Sequence, residues 1–163
     1  MYGRGSLELS DLSQGERLLL RALRRQALES PCQSLRGAFE AACGASGGEA
    51  CRALMAFVEQ LRWRGRRGIA MAAPCAVSVT GDEALLLTAF ASAQASDYRA
   101  LDEGLEVLMG AEPPASLGAA ACLVAETFDM AGLVLRSHDR GVAEPARSSV
   151  EVVLRPLGRS SAA

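Results

Sequence analysis

The sequence contains no lysine, and all 17 of its basic residues are arginine. A phosphate-binding P-loop uses a lysine to reach the phosphates, so this absence excludes that class of nucleotide site. An arginine-specific surface for phosphate or carboxylate groups requires the arginines to be clustered as well. We therefore interpret the lack of lysine as the coding bias of a GC-rich genome.

Aromatic residues are also scarce, at 4% of the 163 residues. Half of the chain is nonetheless apolar, so its core must consist mainly of alanine and leucine. Small side chains let helices approach closely, which favours tight helix packing over a sheet sandwich. The length is that of one domain with a substantial core.

Metal-ligating patterns are missing as well. The chain has one histidine, His138, and five cysteines without a C-x-x-C pair. The cysteines are Cys32, Cys43, Cys51, Cys75 and Cys122. Zinc and iron sites need closely spaced histidine and cysteine ligands. We therefore predict no metal and no cofactor, and we expect reduced cysteines that pack as small hydrophobic side chains.

Long hydrophobic runs are absent. No apolar run of signal-peptide length follows the first residues. The most apolar stretch, residues 115–135, is interrupted by Glu126 and Asp129, which are costly in hydrocarbon. We expect no export, no membrane span and a cytoplasmic location, with these two carboxylates paired to arginines from the first half of the chain.

Helix-start signals are the clearest feature that is present. A hydroxyl residue is followed three positions later by glutamate at Ser13, at Ser46 and at Thr80. Each pattern predicts a capping box, in which the hydroxyl and the glutamate satisfy backbone N–H groups that the helix leaves without partners. The repeated signal predicts an all-α fold class.

Helical periodicity predicts a compact bundle of about six helices. They run over about 12–28, 33–43, 47–64, 80–95, 97–109 and 115–130. In the first helix, arginines 17, 21, 24 and 25 are assigned mostly to the polar face. Pro74 and two glycines break the pattern near 68–79, which predicts a short extended element that could pair with 149–155.

Residues 10–136 are predicted as a single helical domain, and 137–163 as a loop-like tail that could contain a short strand.

A basic cluster at the end of the third helix is the main candidate interaction site. It consists of Arg62, Trp63, Arg64, Arg66 and Arg67. Arginine grips phosphate and tryptophan stacks on bases, which is typical of nucleic-acid binding. The favoured interpretation is structural: the arginines meet helix carbonyls and internal carboxylates, and the tryptophan covers the edge of the core. The charge balance supplies such partners, since residues 1–67 carry a net +4 and residues 68–136 a net −7.

Cys75 is the one candidate reactive thiol. It lies just ahead of a predicted helix start, where the pKa of a thiol can fall. The competing interpretation is a buried cysteine in an apolar segment, and His138 is the one histidine that could assist it. No nucleophile motif surrounds Cys75, so we predict no catalytic residue.

One stretch resembles a family of small helical proteins from high-GC bacteria. It comprises Gly65–Ile69, then Pro74 with Cys75, and then Val79–Leu86. The resemblance implies a similar helical layout over roughly residues 10–135. The family has no assigned activity, so no functional residue carries over.

These observations predict a non-enzymatic, cytoplasmic interaction or regulatory protein that self-associates, for example as a dimer. The alternative is a nucleic-acid binder that uses the cluster at residues 62–67. A third class, a small-molecule sensor with a pocket among its helices, remains open.

Overall fold

The computed structural model describes residues 5–28, 33–138 and 150–154. These ranges form six α-helices, two short strands and two single 3-10 turns. The helices are α1 (Gln14–Ala27), α2 (Gln33–Cys43), α3 (Gly47–Arg64), α4 (Gly81–Gln94), α5 (Tyr98–Met109) and α6 (Ala115–Met130), and the strands are β1 (Ile69–Ala72) and β2 (Val150–Leu154). The prediction of a compact, mainly helical fold is confirmed.

The core lies between α3, α4 and α6. Helix α6 packs against α3 and α4, while α2 packs on α3, α5 packs on α4, and α1 lies against α3 and α4. Two tilted aromatic pairs join these helices: Phe39 with Phe128 and Phe57 with Phe90, with ring centroids 5.7 Å and 4.8 Å apart. None of the helices in the described ranges combines the length and the apolarity that crossing a membrane requires.

Two of the three predicted capping boxes form. Ser13 accepts from the backbone N–H of Glu16, whose carboxylate accepts from the N–H of Ser13. Thr80 and Glu83 make the same reciprocal pair at the start of α4. The box predicted at Ser46 is wrong, because the chain enters α3 through a 3-10 turn and Ser46 has helical backbone angles (φ −81°, ψ −8°) without a side-chain cap bond. A capping hydroxyl needs an extended backbone.

The turn between α2 and α3 depends on two glycines. Gly44 adopts a left-handed conformation (φ 72°) that suits the end of α2. A Cβ on Gly47 would lie 2.3 Å from the backbone oxygen of Phe39. Only glycine therefore fits where the start of α3 meets α2.

The predicted extended element forms, and it pairs with the second predicted strand. Strand β1 is antiparallel to β2, with Ile69 opposite Leu154 and Met71 opposite Val152. The segment after β1 continues along the N-terminal residues, where Leu9 donates to Val77 and Val79 donates to Leu7, each at 2.9 Å.

The other edge of β1 is bound by side chains from the start of α4. The hydroxyl of Thr80 donates to the backbone oxygen of Ala70 at 2.7 Å. The carboxylate of Glu83 accepts from the N–H of Ala72 at 2.9 Å, and Asp82 accepts from the N–H of Ala70 at 2.7 Å. We call the Thr80–Glu83 capping box with its bound strand the α4 clamp.

The Ser13–Glu16 capping box holds a segment in the same way. After Gly132, residues 133–138 return to the start of α1. The hydroxyl of Ser13 donates to the backbone oxygen of Val134 at 2.6 Å, and Glu16 accepts from the N–H of Arg136 at 2.7 Å. We call this arrangement the α1 clamp.

A glutamine completes the attachment of that segment. The side chain of Gln94 donates to the backbone oxygen of Leu133 and accepts from the N–H of Leu135, each at 2.8 Å. Both leucines are buried, at 8% and 6% exposed. The structure therefore packs the chain against the helices as far as His138, whose N–H donates to Thr88.

Candidate functional site: the Arg–Trp corner

The basic cluster lies where α3 ends and turns toward β1. The N–H of Gly65 closes the last turn by donating to Leu61 at 3.0 Å. The five side chains of the cluster then diverge. Two guanidinium groups turn inward, and the other three side chains turn outward.

Arg62 is one of the two inward arginines. Its Nη2 donates to the backbone oxygens of Gln26 and Ala27, at 2.8 Å and 3.0 Å. These carbonyls belong to the last turn of α1, where a helix leaves carbonyls without helical partners and a cation is favoured. Arg62 therefore fastens the C-terminal end of α3 to the C-terminal end of α1.

Arg67 is the other inward arginine. It donates to the backbone oxygen of Val107 at 2.7 Å and to Asp82 at 2.8 Å, and so joins the end of α5 to the start of α4. The neighbouring N–H of Arg66 donates to the backbone oxygen of Met109 at 2.7 Å. These contacts bring the C-terminal ends of α1, α3 and α5 to one end of the molecule.

Trp63, Arg64 and Arg66 face solvent. Trp63 is 71% exposed, so the expectation that it covers the edge of the core is wrong. Leu61 lies on the buried face of α3, and a position two residues later is turned by about 200° around the helix. Arg64 and Arg66 are exposed, and no residue that the structure describes forms an ion pair or side-chain hydrogen bond with them.

Two further apolar side chains lie at the same end. Leu28, at the end of α1, is 45% exposed, and Val107, near the end of α5, is 55% exposed. Together with Trp63, Arg64 and Arg66 they form what we call the Arg–Trp corner. Tryptophan and arginine in a partly apolar patch are the residues most enriched at the energetic centres of protein interfaces.

A second mixed patch lies across α5 and α6. Tyr98 is 56% exposed and Met130 is 84% exposed, and the exposed carboxylates of this patch are Asp102, Glu126 and Asp129. We call these five residues the acidic face. The expectation that Glu126 and Asp129 pair with arginines is wrong: both are exposed on α6, and neither forms an ion pair with a described residue.

Both helices of the acidic face pack on α4, and residues 110–114 join the end of α5 to the start of α6. The thiol of Cys122 on α6 lies within electrostatic range of a carboxylate on each helix. Burial raises the pKa of Cys122, and the negative charges of Glu126 on α6 and Asp102 on α5 raise it further.

Cys75, the candidate reactive thiol, lies between β1 and α4. It lies exposed in the turn after β1, so the interpretation as a buried cysteine is also wrong. The one histidine has other neighbours: His138 Nε2 is 3.2 Å from Glu16 Oε1 without hydrogen-bond geometry. The structure does not bring Cys75 and His138 together as a nucleophile and its base.

The other described cysteines are thiols with packing roles. Cys43, Cys51 and Cys122 are unpaired with one another, and burial is the largest cause that raises the pKa of each. They remain protonated and poorly nucleophilic at neutral pH. Cys32 lies outside the described residues.

A metal ion needs a cluster of ligating side chains, and a small molecule needs a cavity. Residues 5–28, 33–138 and 150–154 hold no group of three or more His, Cys, Asp or Glu side chains that could bind a metal ion. An open cleft of about 480 Å³ lies between α2 and α3, next to Leu123. Its charged lining combines two arginines, Arg36 and Arg52, with two glutamates, Glu40 and Glu49, so these side chains add no net formal charge.

Sequence reasoning located the basic cluster but missed the residues around it. Leu28 and Val107 are far from Trp63 in the chain, and the contacts of Arg62 and Arg67 place all three at the same end of the molecule. The sequence does contain one sign of such residues: an apolar side chain outside the buried stripe of its helix, as at Val107 beside the charged positions of α5. This sign identifies an exposed apolar position, but it does not show which exposed positions of different helices lie together.

Comparison with known proteins gives no relative: no family model, no curated protein and no solved structure matches the chain. The resemblance to small helical proteins of high-GC bacteria therefore stays a prediction. Any functional assignment has to rest on the geometry of the chain itself.

Proposed function

We propose that this is a non-enzymatic interaction protein that self-associates through the Arg–Trp corner. The observation that carries the proposal is the 71% exposure of Trp63, beside two outward arginines and two exposed aliphatic side chains. Burying such a ring against a partner contributes on the order of 3 kcal/mol. An exposed apolar patch with charged neighbours is typical of a protein contact site.

A role outside catalysis is supported by how the buried charged groups are used. Glu16 and Glu83 are fully buried, and each is occupied by helix capping and by an arginine. Of the other described thiols, Cys51 is buried and Cys43 and Cys122 are partly buried, and burial raises the pKa of all three. The proposal also places the protein in the cytoplasm, where a reducing environment keeps such thiols free.

Nucleic-acid binding is the second candidate, and the same exposed tryptophan favours it. Trp63 could stack on a base while Arg64 and Arg66 contact phosphates. It is the weaker candidate, because Arg62 and Arg67 are committed to internal carbonyls and to Asp82. Two outward arginines are few for a nucleic-acid surface.

The test is the mass of the protein in solution over a wide range of concentration, by sedimentation velocity. We expect the wild type to self-associate and Trp63→Ser to shift it to the monomer. Met55→Ser is the matched control, because Met55 lies on the same helix and is 47% exposed, but outside the corner. A wild type that stays monomeric at every concentration contradicts the proposal.

The nucleic-acid alternative has its own measurement. Fluorescence anisotropy with single-stranded and double-stranded oligonucleotides, at low and high salt, reports phosphate contacts through the salt dependence of the affinity. Salt-sensitive binding that Arg64→Gln with Arg66→Gln abolishes, in a variant that still folds, would favour the alternative over self-association.

A further inference from the structure

Strand β1 is held on its two edges by different kinds of partner. On one edge, the N–H of Ala70 donates to Asp82, and the backbone oxygen of Ala70 accepts from Thr80. On the same edge, the N–H of Ala72 donates to Glu83. Helices α1 and α4 also pack on β1. None of these contacts involves β2, which pairs with the opposite edge through the backbone.

The backbone of β1 alternates between the two edges. Because the N–H and the oxygen of Ala70 both point to α4, the oxygen of Ile69 and the N–H of Met71 point to β2. The register places Ile69 opposite Leu154 and Ala70 opposite Val153. The N–H of Leu154 therefore faces β1, and the N–H of Val153 faces away from it.

Strand β2 is attached to the molecule differently from the helices. It follows all six of them in the chain, and its main neighbours among the described elements are β1 and α1. Residues 139–149, which join it to His138, lie outside the described residues. Its five residues read V-E-V-V-L, a composition typical of many extended segments. An edge that binds a strand through backbone groups accepts other segments of similar pattern.

We propose that the β2-facing edge of β1 is a docking site for an extended segment of a second protein, and that β2 is its resident occupant. The partner is defined by what β2 supplies: a short extended stretch, rich in valine or leucine, that runs antiparallel to β1. It displaces β2 and makes its backbone hydrogen bonds to Ile69 and Met71. The Arg–Trp corner takes no part, so this site is independent of the proposed self-association.

The tether decides when the site is open. Because β2 belongs to the same chain as β1, its effective concentration at the edge is high, and the edge stays closed until a partner binds more tightly. The β2 strand of a second copy is the competing occupant. It would gain no contact at this edge that β2 does not already make in its own chain, and it would lose the tether. A different protein is therefore the favoured partner.

The test uses the full chain and a fluorescent synthetic peptide of residues 148–157, whose binding is followed by anisotropy. Leu154→Pro removes the N–H of β2 that faces β1, which loosens β2 from the edge. Val153→Pro is the matched control, because it removes an N–H that faces away, and an edge strand tolerates proline there. Both variants replace one apolar residue of β2 by proline.

We expect the peptide to bind Leu154→Pro at least about tenfold more tightly than it binds the wild type, because the competing strand has been released. Val153→Pro should bind the peptide as weakly as the wild type does. A peptide that itself carries the Leu154→Pro change should bind none of the three proteins.

Amide hydrogen exchange gives a second measurement. The N–H of Met71 faces β2, so it should exchange faster in Leu154→Pro and slow down again when the peptide is added. The N–H of Ala72, which donates to Glu83, should stay protected in every state. Circular dichroism should show unchanged helix content in both variants.

Three results would overturn the inference. If Leu154→Pro loses its helices or the protection of Ala72, then β1 depends on β2 for its position. If Leu154→Pro and Val153→Pro bind the peptide equally, then the register does not control access to the edge. If Leu154→Pro lowers the sedimenting mass without gaining peptide binding, then β2 joins copies of this chain. The effect of Trp63→Ser on the wild type tests the self-association separately.

Discussion

The α1 and α4 clamps use the same kinds of side-chain contact, but they differ in how exposed those contacts are to solvent. In both, the capping hydroxyl donates to a backbone oxygen of a neighbouring segment, and the capping glutamate accepts from the N–H two residues further along that segment. A capping box normally satisfies only the start of its own helix. Here the same two side chains also bind the edge of a second piece of chain.

The difference lies in the arginine that neutralises each glutamate. In the α4 clamp, Arg24 makes two hydrogen bonds to Glu83, at 2.8 Å and 2.9 Å, and its side chain is 1% exposed. In the α1 clamp, Arg136 reaches Glu16 at 3.2 Å and 3.3 Å, and its side chain is 52% exposed. One ion pair is enclosed by protein, and the other is bordered by water, which weakens it.

The enclosed pair also fixes the chain after β1. Arg24 donates to the backbone oxygens of Ala76 and Ser78, at 2.7 Å and 2.9 Å. One guanidinium therefore joins α1, α4 and the 76–78 segment. The same local signal, a capping box, therefore stabilises the fold by different amounts at the two helix starts. The amount depends on how exposed the pairing arginine is, and that arginine lies far away in the chain.

The largest effect should come from removing the enclosed arginine. Arg24→Met keeps much of the volume but leaves the buried Glu83 without its cation, and we expect unfolding to become easier by about 3–5 kcal/mol. The measurement is the urea midpoint and slope. Arg21→Met, at an exposed position of the same helix, should change stability by less than about 0.5 kcal/mol.

A double variant sharpens that result. Arg24→Met combined with Glu83→Gln removes both charges, so the loss should be smaller than the sum of the two single losses. A strictly additive pair would contradict the assignment of Arg24 and Glu83 to one coupled unit.

The next largest effect should come from the capping hydroxyls. Thr80→Ala and Ser13→Ala each remove a helix cap and the bond to the clamped segment, and we expect losses of about 1–2 kcal/mol. Thr80→Ala should cost the more, because Thr80 is buried at 4% exposed. Ser46→Ala, where no cap bond exists, should leave the denaturant midpoint nearly unchanged.

The water-bordered arginine should matter less than the enclosed one. We expect Arg136→Met to cost about 1 kcal/mol, because solvent screens this pair and Glu16 keeps its bonds to backbone N–H groups. Denaturant unfolding at neutral pH measures the loss. A loss as large as that of Arg24→Met would show that exposure of the arginine does not set the difference between the clamps.

Acidification is expected to have a smaller effect on the free energy of unfolding. Burial raises the pKa of Glu16, but several contacts lower it. These are hydrogen bonds from the Arg136 side chain and from the backbone N–H groups of Ser13 and Arg136, together with the nearby His138 ring. The lowering contacts outweigh burial, so the pKa lies below its ordinary value of 4.5. A lowered pKa gives stability that is present above the ordinary value and is lost as pH falls through the folded value.

Unfolding free energies of the wild type and Glu16→Gln over a pH series test this. The stability advantage of the wild type should be full near neutral pH and should shrink as the solution is acidified below about pH 4.5, the ordinary value for the carboxyl. An advantage that is constant down to strong acid would mean that the Glu16 carboxylate contributes nothing to the α1 clamp.

Sequence reasoning placed the helices well because their ends are locally encoded. The predicted bounds of α2, α3 and α6 coincide with Gln33–Cys43, Gly47–Arg64 and Ala115–Met130. Glycine and proline mark the ends, and an unbroken apolar stripe marks the length. Alternation near 68–79 and β-branched content near 149–155 predicted two extended segments that could pair, and the structure pairs them as β1 and β2.

Long-range partners were beyond such reasoning. Arg24 was grouped with the other arginines of α1 and assigned mostly to the polar face, yet it is 2% exposed, and its acceptor Glu83 is 59 residues away. The Arg–Trp corner shows the same limit. The sequence identifies the basic cluster. It does not show which of its arginines would bind backbone oxygens at the ends of α1 and α5.

The two clamps also differ in when they can close. The strand held by the α4 clamp lies 10 to 11 residues from its capping box, whereas the segment held by the α1 clamp lies 120 to 121 residues away. During synthesis on a ribosome, the contacts of the α4 clamp can form midway through the chain, whereas those of the α1 clamp cannot form until residue 136 has emerged. Contacts between distant residues form slowly, so for most of translation Glu16 has its local capping bond to Ser13 but lacks Arg136. The last part of the bundle to be made therefore completes the first helix.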